Sequence, residues 1–390
     1  MKKRLAFVRK TFQLRFNALN SGMELKITRP TLLLDLQKME ANLDRMLDKA
    51  SRTGTELIPH FKTHQSKEVA ELVRQKGVSR ITVSSVKMAE YFASAGWKDI
   101  TIAFPFNILE AEVINRLLAE GVKITILVSD ADLLPMLDGV FHAEVQVLVE
   151  IDAGYGRSGI AASDRETLKS IVEAINKNEQ LVFYGLYCHP GNTYHADSIE
   201  DIRLIWSSSI KKMNLLKNLI APMVDQVIIR MGDTPGCTVV EDMRGVDEIG
   251  PGNFIFYDLV MNYLNVCDET DIAVAVACPV VAKYSSRNQV VIHGGAVHFS
   301  KDHLFDEHEQ KFFGELVIIA ENDWSRIIPD AKLVSLSQEH GILQLTEEVF
   351  EKVQIGDVLG FLPIHSCLTA NLLKSYVTLS GERMEHLENI

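Results

Sequence analysis

From residue 56 onward the sequence repeats one unit, a short run rich in β-branched residues followed by a stretch with helical spacing. The runs are ELIPHF (56–61), RITVSS (80–85), ITIAF (100–104), KITILV (123–128), VQVLVEI (145–151), LVFYGLYC (181–188), VIIRM (227–231) and IGPGNFIFYD (249–258). Between them, Leu168, Ile171, Val172 and Ile175 fall at i, i+3, i+4 and i+7, and Val113, Ile114, Leu117 and Leu118 follow an acidic first turn of Glu110 and Glu112. Strands that alternate with helices pair in parallel through right-handed crossovers. Eight such units close a (β/α)8 TIM-type barrel, so an α/β fold is expected, with functional groups at the C-terminal ends of the strands.

The rhythm changes after about residue 265. IAVAVACPVVAKY, QVVIHGGAVHF, LVIIAE, LVSLS, GILQL, DVLGFLPIH and SYVTLS are strand-like with few helical intervals, which predicts a second, mostly β C-terminal domain. The expected division is a leader over 1–24, a barrel over 25–265 and a β domain over 266–390. One early run, TLLLDL (31–36), either leads into the barrel or pairs with the β domain.

The first 22 residues hold six of the 40 basic groups and no acid, but lack the apolar core and small-residue cleavage site of a secretory signal. They read as an appended terminus, frayed or packed on the β domain, with Met23 an alternative start to Met1. The net charge of −12 argues against nucleic acid or an anionic membrane as a partner. No run is long and apolar enough to span a bilayer. Cys188, Cys237, Cys267, Cys278 and Cys367 are scattered without metal-ribbon or disulfide spacing, so a reduced, cytoplasmic compartment is expected.

Residues just past the barrel strands are unusually polar: His60, Lys62 and His64; Ser84 and Ser85; Asp152 and Arg157; Tyr187, His189 and Asn192; Gly232, Asp233 and Thr234; Gly252, Asn253, Tyr257 and Asp258. A lysine at a barrel mouth can pair with an anion or form a Schiff base once burial or positive neighbours lower its pKa, and flanking histidines suit the second use. The plain structural alternative is a solvated loop after a strand. RMGDTPG (230–236) and GPGNF (250–254) are Gly-rich turns able to aim backbone N–H groups at a phosphate, or simply two tight turns. GYGRSG (154–159) matches a dinucleotide fingerprint but comes after the fifth run rather than opening the sheet. Arg157 serves better as a cation facing an oxygen on a cofactor ring. In IHSC (364–367), His365 and Cys367 share one face if the backbone is extended, a thiolate and imidazole pair suited to Zn2+. Glu339 and His340 are candidates to support that metal from behind.

PHFKTH, VEIDAGYGRSG, GLYCHPG, GDTPG, GPGNFIFYD, QEHG and PIHSC, in this order, resemble the D-threonine aldolase and D-serine dehydratase family, relatives of the alanine racemase N-terminal domain. The resemblance runs from about Arg29 to Tyr376 and implies a pyridoxal-phosphate enzyme of fold type III, usually a homodimer. It implies Lys62 as the Schiff-base lysine, Arg157 and Tyr187 at the cofactor ring, and Gly232, Thr234, Gly252 and Asn253 at its phosphate. It also implies that His365 and Cys367 bind a divalent metal, Zn2+ ahead of Mn2+, beside the β-hydroxyl of a D-amino acid substrate. A base such as His60 or His189 taking the hydroxyl proton gives retro-aldol cleavage to glycine and an aldehyde. Lys62 taking the α-proton, with departure of the β-oxygen, gives a 2-oxo acid and ammonia. Departures from the family pattern are Asp233 where Ser is usual, His293 where Asp is common and Asn192 where His is frequent. Three other readings stand beside the lyase: an amino-acid racemase, for which no second acid/base is assignable, a non-catalytic pyridoxal-phosphate carrier, and a metal-dependent hydrolase.

Overall fold

The computed structural model describes residues 26–388, and the leader expected at 1–24 lies outside them. The chain divides into two compact units, one of Gln37–Asp271 with the segment from Glu385, the other of the residues up to Leu36 with Ile272–Met384.

After β1 (Thr31–Leu34) and α1 (Leu36–Thr53) come β2 (Glu56–Leu57), β3 (Ile81–Val83), β4 (Asp99–Pro105), β5 (Lys123–Val128), β6 (Val145–Asp152), β7 (Leu181–Cys188), β8 (Ile228–Met231) and β9 (Glu248–Ile249). These last eight strands pair in parallel in the order β2-β9-β8-β7-β6-β5-β4-β3. A parallel bridge between His60 and Thr82 joins the two ends, so the ring closes. Each of the eight expected runs supplies one strand. The last run is extended only to Ile249, because Pro251 lacks an N–H and Asn253–Ile255 turn as a 3-10 helix.

The connecting helices include α2 (Lys67–Gln75), α3 (Val86–Ser94), α4 (Ala111–Ala119), α5 (Arg165–Lys177), α6 (Ile199–Ile220) and α7 (Thr234–Val239). Leu168, Ile171, Val172 and Ile175 are the buried stripe of α5, as their spacing requires. Ser66 and Ser85 begin α2 and α3 by accepting the N–H of Val69 and Met88. The link from β5 to β6 has no α-helix, only a 3-10 stretch over Ala131–Leu137 that contains Pro135.

Barrel interiors are ordinarily filled by branched apolar side chains, but this one also buries an ion cluster. Glu248 is nearly inaccessible and accepts from Arg230 Nε at 2.6 Å and Arg80 Nη1 at 2.6 Å, while the Tyr184 hydroxyl also donates to it. Arg230, fully buried, donates onward to Thr101 Oγ1 at 2.6 Å. Burial pushes the Glu248 carboxyl up, yet the two guanidiniums outweigh it and hold the group below its ordinary value.

The second unit is a nine-stranded sheet. Besides β1 it contains β10 (Val274–Tyr284), β11 (Gln289–His293), β12 (Gly314–Val317), β13 (Lys332–Leu336), β14 (His340–Gln344), β15 (Val358–Pro363), β16 (Ser375–Thr378) and β17 (Arg383–Glu385), in the order β11-β14-β13-β12-β15-β10-β1-β16-β17. A further pairing of β10 with β11 closes the first six of these into an antiparallel ring. Thr31 pairs with Ala277 in β10, so the early TLLLDL run belongs to this sheet and does not open the barrel. The boundaries expected at residues 25 and 265 accordingly fall at Leu36/Gln37 and Asp271/Ile272. One helix interrupts a run expected as strand, α8 (Ala296–Phe299) after β11, and α9 (Ser366–Leu373) lies between two of the expected runs, after β15.

Removing one partner of a buried ion cluster leaves the others uncompensated. Glu248→Ala is expected to cost about 3–5 kcal/mol, measured as a drop in the urea midpoint.

Candidate active site

Lys62 is half-buried in the turn after β2. The entry to that turn is held by both neighbouring strand ends: His60 N–H donates to Pro251 O at 2.9 Å and Phe61 N–H to Thr82 O at 2.8 Å. The Phe61 ring packs edge-on against Phe92 and Trp97 at centroid distances of 5.0 and 5.2 Å, which anchors the turn in the core.

The two flanking histidines part ways. His64 turns into the core, edge-on to Phe61 at 4.4 Å, with Nδ1 accepting the Ser66 N–H at 3.1 Å. Burial, and after it the proximity of His386, lowers its pKa to about 3. It is a packed, neutral imidazole and not a second cation beside Lys62. His60 stays at the rim, buried, with Nδ1 accepting the Lys62 N–H at 3.4 Å. Burial, then Lys62, His189, Arg157 and His64, hold it well below the ordinary histidine range. His189 comes just after β7, and its Nδ1 donates to the carbonyl of Gly232. Burial, then Arg157 and Lys62, lower its pKa to about 3.

Both rim histidines are therefore neutral, and their partners assign the tautomers. A carbonyl only accepts, so Nδ1 of His189 carries the proton and Nε2 carries the lone pair. For His60 the amide donor faces Nδ1, which leaves the proton on Nε2.

The two Gly-rich turns meet at the same rim. A Cβ on Gly232 would lie 3.2 Å from Gly250 O and from Tyr187 Oη, and one on Gly252 would lie 3.1 Å from His60 O and Thr63 Oγ1. A side chain at either position would have to push its neighbours back by a few tenths of an ångström. Thr234 is fully buried, and among the described residues its hydroxyl has no hydrogen-bond partner. Tyr187, also buried, packs with Leu127 and Leu148 inside the barrel. Asn253 donates to Asp258 Oδ2 at 2.5 Å, and Asp258 caps the short helix after it through the Met261 N–H. Asp233, the departure in the GDTPG turn, caps α7: its Oδ2 accepts from Gly236 N–H at 2.6 Å and from the Thr193 hydroxyl at 2.8 Å. Burial pushes its pKa up to about 7.

GYGRSG is organised around its own carboxylate. Asp152 accepts the N–H groups of Gly154 and Tyr155 at 2.8 Å and of Gly156 at 3.1 Å, so the amides that would meet a pyrophosphate are already taken. Arg157, exposed, reaches over the Tyr155 ring at 5.5 Å and its charge is felt at His60, His189 and Tyr187.

Sequence reasoning missed Tyr194 and Glu150. The Tyr194 hydroxyl accepts the Thr234 N–H at 3.1 Å, and nothing in the spacing of GNTYH marks it. Glu150 is buried on β6 with Oε1 accepting from Ser158 and Oε2 without a partner among the described residues, and burial pushes its pKa up. It reads in sequence as one polar residue inside a buried strand. Ser85, in contrast, caps α3 through the Met88 N–H at 3.2 Å.

In the second unit, His365 does not sit on an extended strand with Cys367. It is the N-cap of α9, and Cys367 lies in the first turn of that helix. His365 Nδ1 is 2.9 Å from Asp302 Oδ2. A carboxylate accepts, so the proton is on Nδ1 and the lone pair on Nε2, the tautomer a metal-binding imidazole needs. Glu339 lies instead with His293 and His298, whose Nε2 atoms are 3.6 and 3.8 Å from its Oε2. These three could surround an ion, but His298 Nδ1 accepts the Gly295 N–H at 3.1 Å, which places the proton on Nε2. His340 is opposite His293 in the β11–β14 ladder.

Comparison with known proteins divides the chain into the same two parts. Residues 34–258 match the family model "Alanine racemase, N-terminal domain" and residues 273–379 match "Putative serine dehydratase domain". The chain is 27% identical to the D-threo-3-hydroxyaspartate dehydratase of Delftia sp. (strain HT23), over 92% of this chain and 96% of that one. It is 28% identical to the D-serine dehydratase of Dictyostelium discoideum, over 90% and 93%. A solved cysteine-to-alanine variant of D-threo-3-hydroxyaspartate dehydratase, in its metal-free form, superimposes with a TM-score of 0.88 at 25% identity, over 95% of this chain and all of that one.

The lowered histidine pKa values carry a sign. His64 and His189 bind a proton near pH 6.5 when unfolded and near 3 when folded, so each contributes stability that is full above 6.5 and lost as pH falls. Each is expected to remove about 1.4 kcal/mol per pH unit across that window. Urea unfolding at pH 7, 6 and 5 measures the slope, and His64→Phe should flatten it by about one proton.

Proposed function

The chain belongs to the alanine racemase N-terminal domain family, and from that premise we propose that it is a pyridoxal-phosphate and divalent-metal-dependent lyase acting on β-hydroxy D-amino acids, with β-elimination as its reaction. The observation that carries the reading is the convergence of Lys62, two neutral histidines of defined tautomer and two glycine turns with a buried, unpartnered hydroxyl at one end of a parallel barrel.

The residues present fit the cofactor. Gly232 and Gly252 leave the space a Cβ would fill, and the Thr234 hydroxyl, buried without a partner among the described residues, would supply a donor for a phosphate oxygen. These residues, with Asn253, would hold the phosphate end, Arg157 and Tyr187 would attend the ring, and Lys62 would form the covalent link. When bound, pyridoxal phosphate supplies an electron sink for a bond broken at the α-carbon, and the metal a Lewis acid for the β-oxygen.

Lys62, the residue that would link to the cofactor, would also be the base for the substrate's α-proton. His189 presents a lone pair at Nε2 and is the acceptor for a further proton, while His60 presents Nε2–H and is a donor. The neutral state of both keeps the amine of Lys62 from facing two more cations. His365, oriented by Asp302, and Cys367 are the proposed metal ligands; a thiolate with an imidazole favours Zn2+ over Mn2+. The thiols, none of them disulfide-bonded, support a reduced, cytoplasmic compartment. Family resemblance supports a homodimer.

Incubation of the holoenzyme and Zn2+ with D-threonine is expected to give 2-oxobutyrate and ammonia. Glycine with acetaldehyde would instead assign retro-aldol cleavage, with the proton acceptor His189 on the hydroxyl. Lys62→Ala should abolish borohydride-fixable cofactor, whereas Cys367→Ala should retain the bound cofactor's colour and lose metal-dependent turnover. Thr234→Val is expected to weaken cofactor binding by roughly 10- to 100-fold, the worth of one hydrogen bond to a charged group, read by equilibrium dialysis.

A further inference from the structure

We infer that the C-terminal segment 385–388 is a strap that positions Lys62, by bonding the backbone of the turn that carries it. The inference rests on the reading of Lys62 as the lysine that links to the cofactor.

The turn is held differently at its two ends. Its entry is built into the barrel, through His60 N–H to Pro251 O and Phe61 N–H to Thr82 O. Its exit is Gln65, a non-glycine residue in the left-handed region at φ 44°. A side-chain-bearing residue there is strained and persists only where its surroundings hold it. Gln65 in turn holds the lysine: its Nε2 donates to Lys62 O at 3.1 Å, and its N–H donates to Phe61 O at 3.0 Å.

The group that holds Gln65 comes from more than 300 residues away in the chain. Leu387 N–H donates to Gln65 O at 2.7 Å. Glu385 N–H approaches Glu68 Oε1 at 3.5 Å, and the other oxygen of Glu68 accepts from the Ser66 hydroxyl at 2.9 Å. The strap therefore meets the chain on both sides of Ser66, the residue that starts α2. His386 and Leu387 between these contacts are 2% and 8% exposed. His386 lies near enough to His64 to depress its basicity.

The left-handed exit turns the Gln65 carbonyl toward Leu387, and without that donor the residue has a less costly right-handed alternative. Such a flip would break the Gln65–Lys62 bond and let the ammonium end of Lys62 wander, while leaving the glycine turns of the phosphate site in place. Positional errors of about 1 Å at a reacting group cost on the order of 100-fold in rate.

The test compares the unaltered holoenzyme with a chain terminated after Met384 and with Leu387→Pro, which removes the amide hydrogen together with the leucine side chain and is therefore read against Leu387→Ala, which removes the side chain and keeps the amide. Three quantities are read: cofactor affinity by dialysis, the pH titration of the Lys62–cofactor absorbance, and kcat separately from KM. The strap requires affinity to be nearly retained, the titration to shift, and kcat to fall about 10- to 100-fold with KM changed less. A borohydride-fixed adduct on Lys62 of the unaltered chain, with both variants titrating and turning over as it does, overturns the strap alone. Absence of that adduct overturns the reading of Lys62 and the strap with it. Should the truncated chain not fold, Leu387→Pro decides. If neither variant folds, hydrogen exchange on the unaltered holoenzyme decides: the amides of Gln65 and Leu387 must open together, and independent opening overturns the strap.

Discussion

Glu248 carries the barrel. Its carboxylate receives Arg230 from the adjacent strand β8, Arg80 from the residue before β3, and the hydroxyl of Tyr184 from β7, while Arg230 reaches Thr101 on β4. A carboxylate so deeply buried is stable only when its oxygens are fully paired, so these strands must arrive together. Arg230 stands two residues before Gly232 and Glu248 two before Gly250. At about 3.3 Å per residue, the ion cluster sits roughly 7 Å beneath the two glycine turns. The paired charges hold β8 and β9 side by side, and at their ends Gly250 O lies 3.2 Å from where a Cβ on Gly232 would stand.

Above that floor, hydrogen-bond partners fix which nitrogen of each rim imidazole holds the proton. A carbonyl opposite His189 and an amide opposite His60 give the two rim histidines opposite polarity at Nε2, one an acceptor and the other a donor, without any charge on either. The same logic separates the two histidine clusters of the second unit. Asp302 opposite Nδ1 of His365 leaves the lone pair on Nε2, whereas the Gly295 amide opposite Nδ1 of His298 leaves the proton on Nε2, 3.8 Å from a carboxylate oxygen of Glu339. Burial keeps the rim imidazoles neutral, and the backbone chooses their direction.

The alternating runs made the barrel legible, because a parallel strand buried on both faces must be a short apolar block and its crossover must show helical periodicity. The rim residues were legible for the same reason, since each stands at or just past the end of one of those blocks. The dinucleotide-like GYGRSG needed the structure: only the fold shows that Asp152 already occupies its amides. His64 reads in sequence as a second cation beside Lys62, and only the fold sets its ring against Phe61 and Phe92. The extended reading of IHSC failed because Ser366 opens a helix, which no apolar alternation announces.

The features that the sequence by itself determined are therefore periodic or local: the strand count, the glycine turns, and the lysine after the first barrel strand. Tertiary structure alone decided the rest. Tyr194 on the Thr234 amide, Asp302 behind His365, β1 in the second sheet, and Leu387 on the Gln65 carbonyl are all partnerships between distant positions. Their physical cause is the obligation of each buried donor or acceptor to find a partner, and which partner is within reach is set by the closed barrel and sheet, not by spacing along the chain.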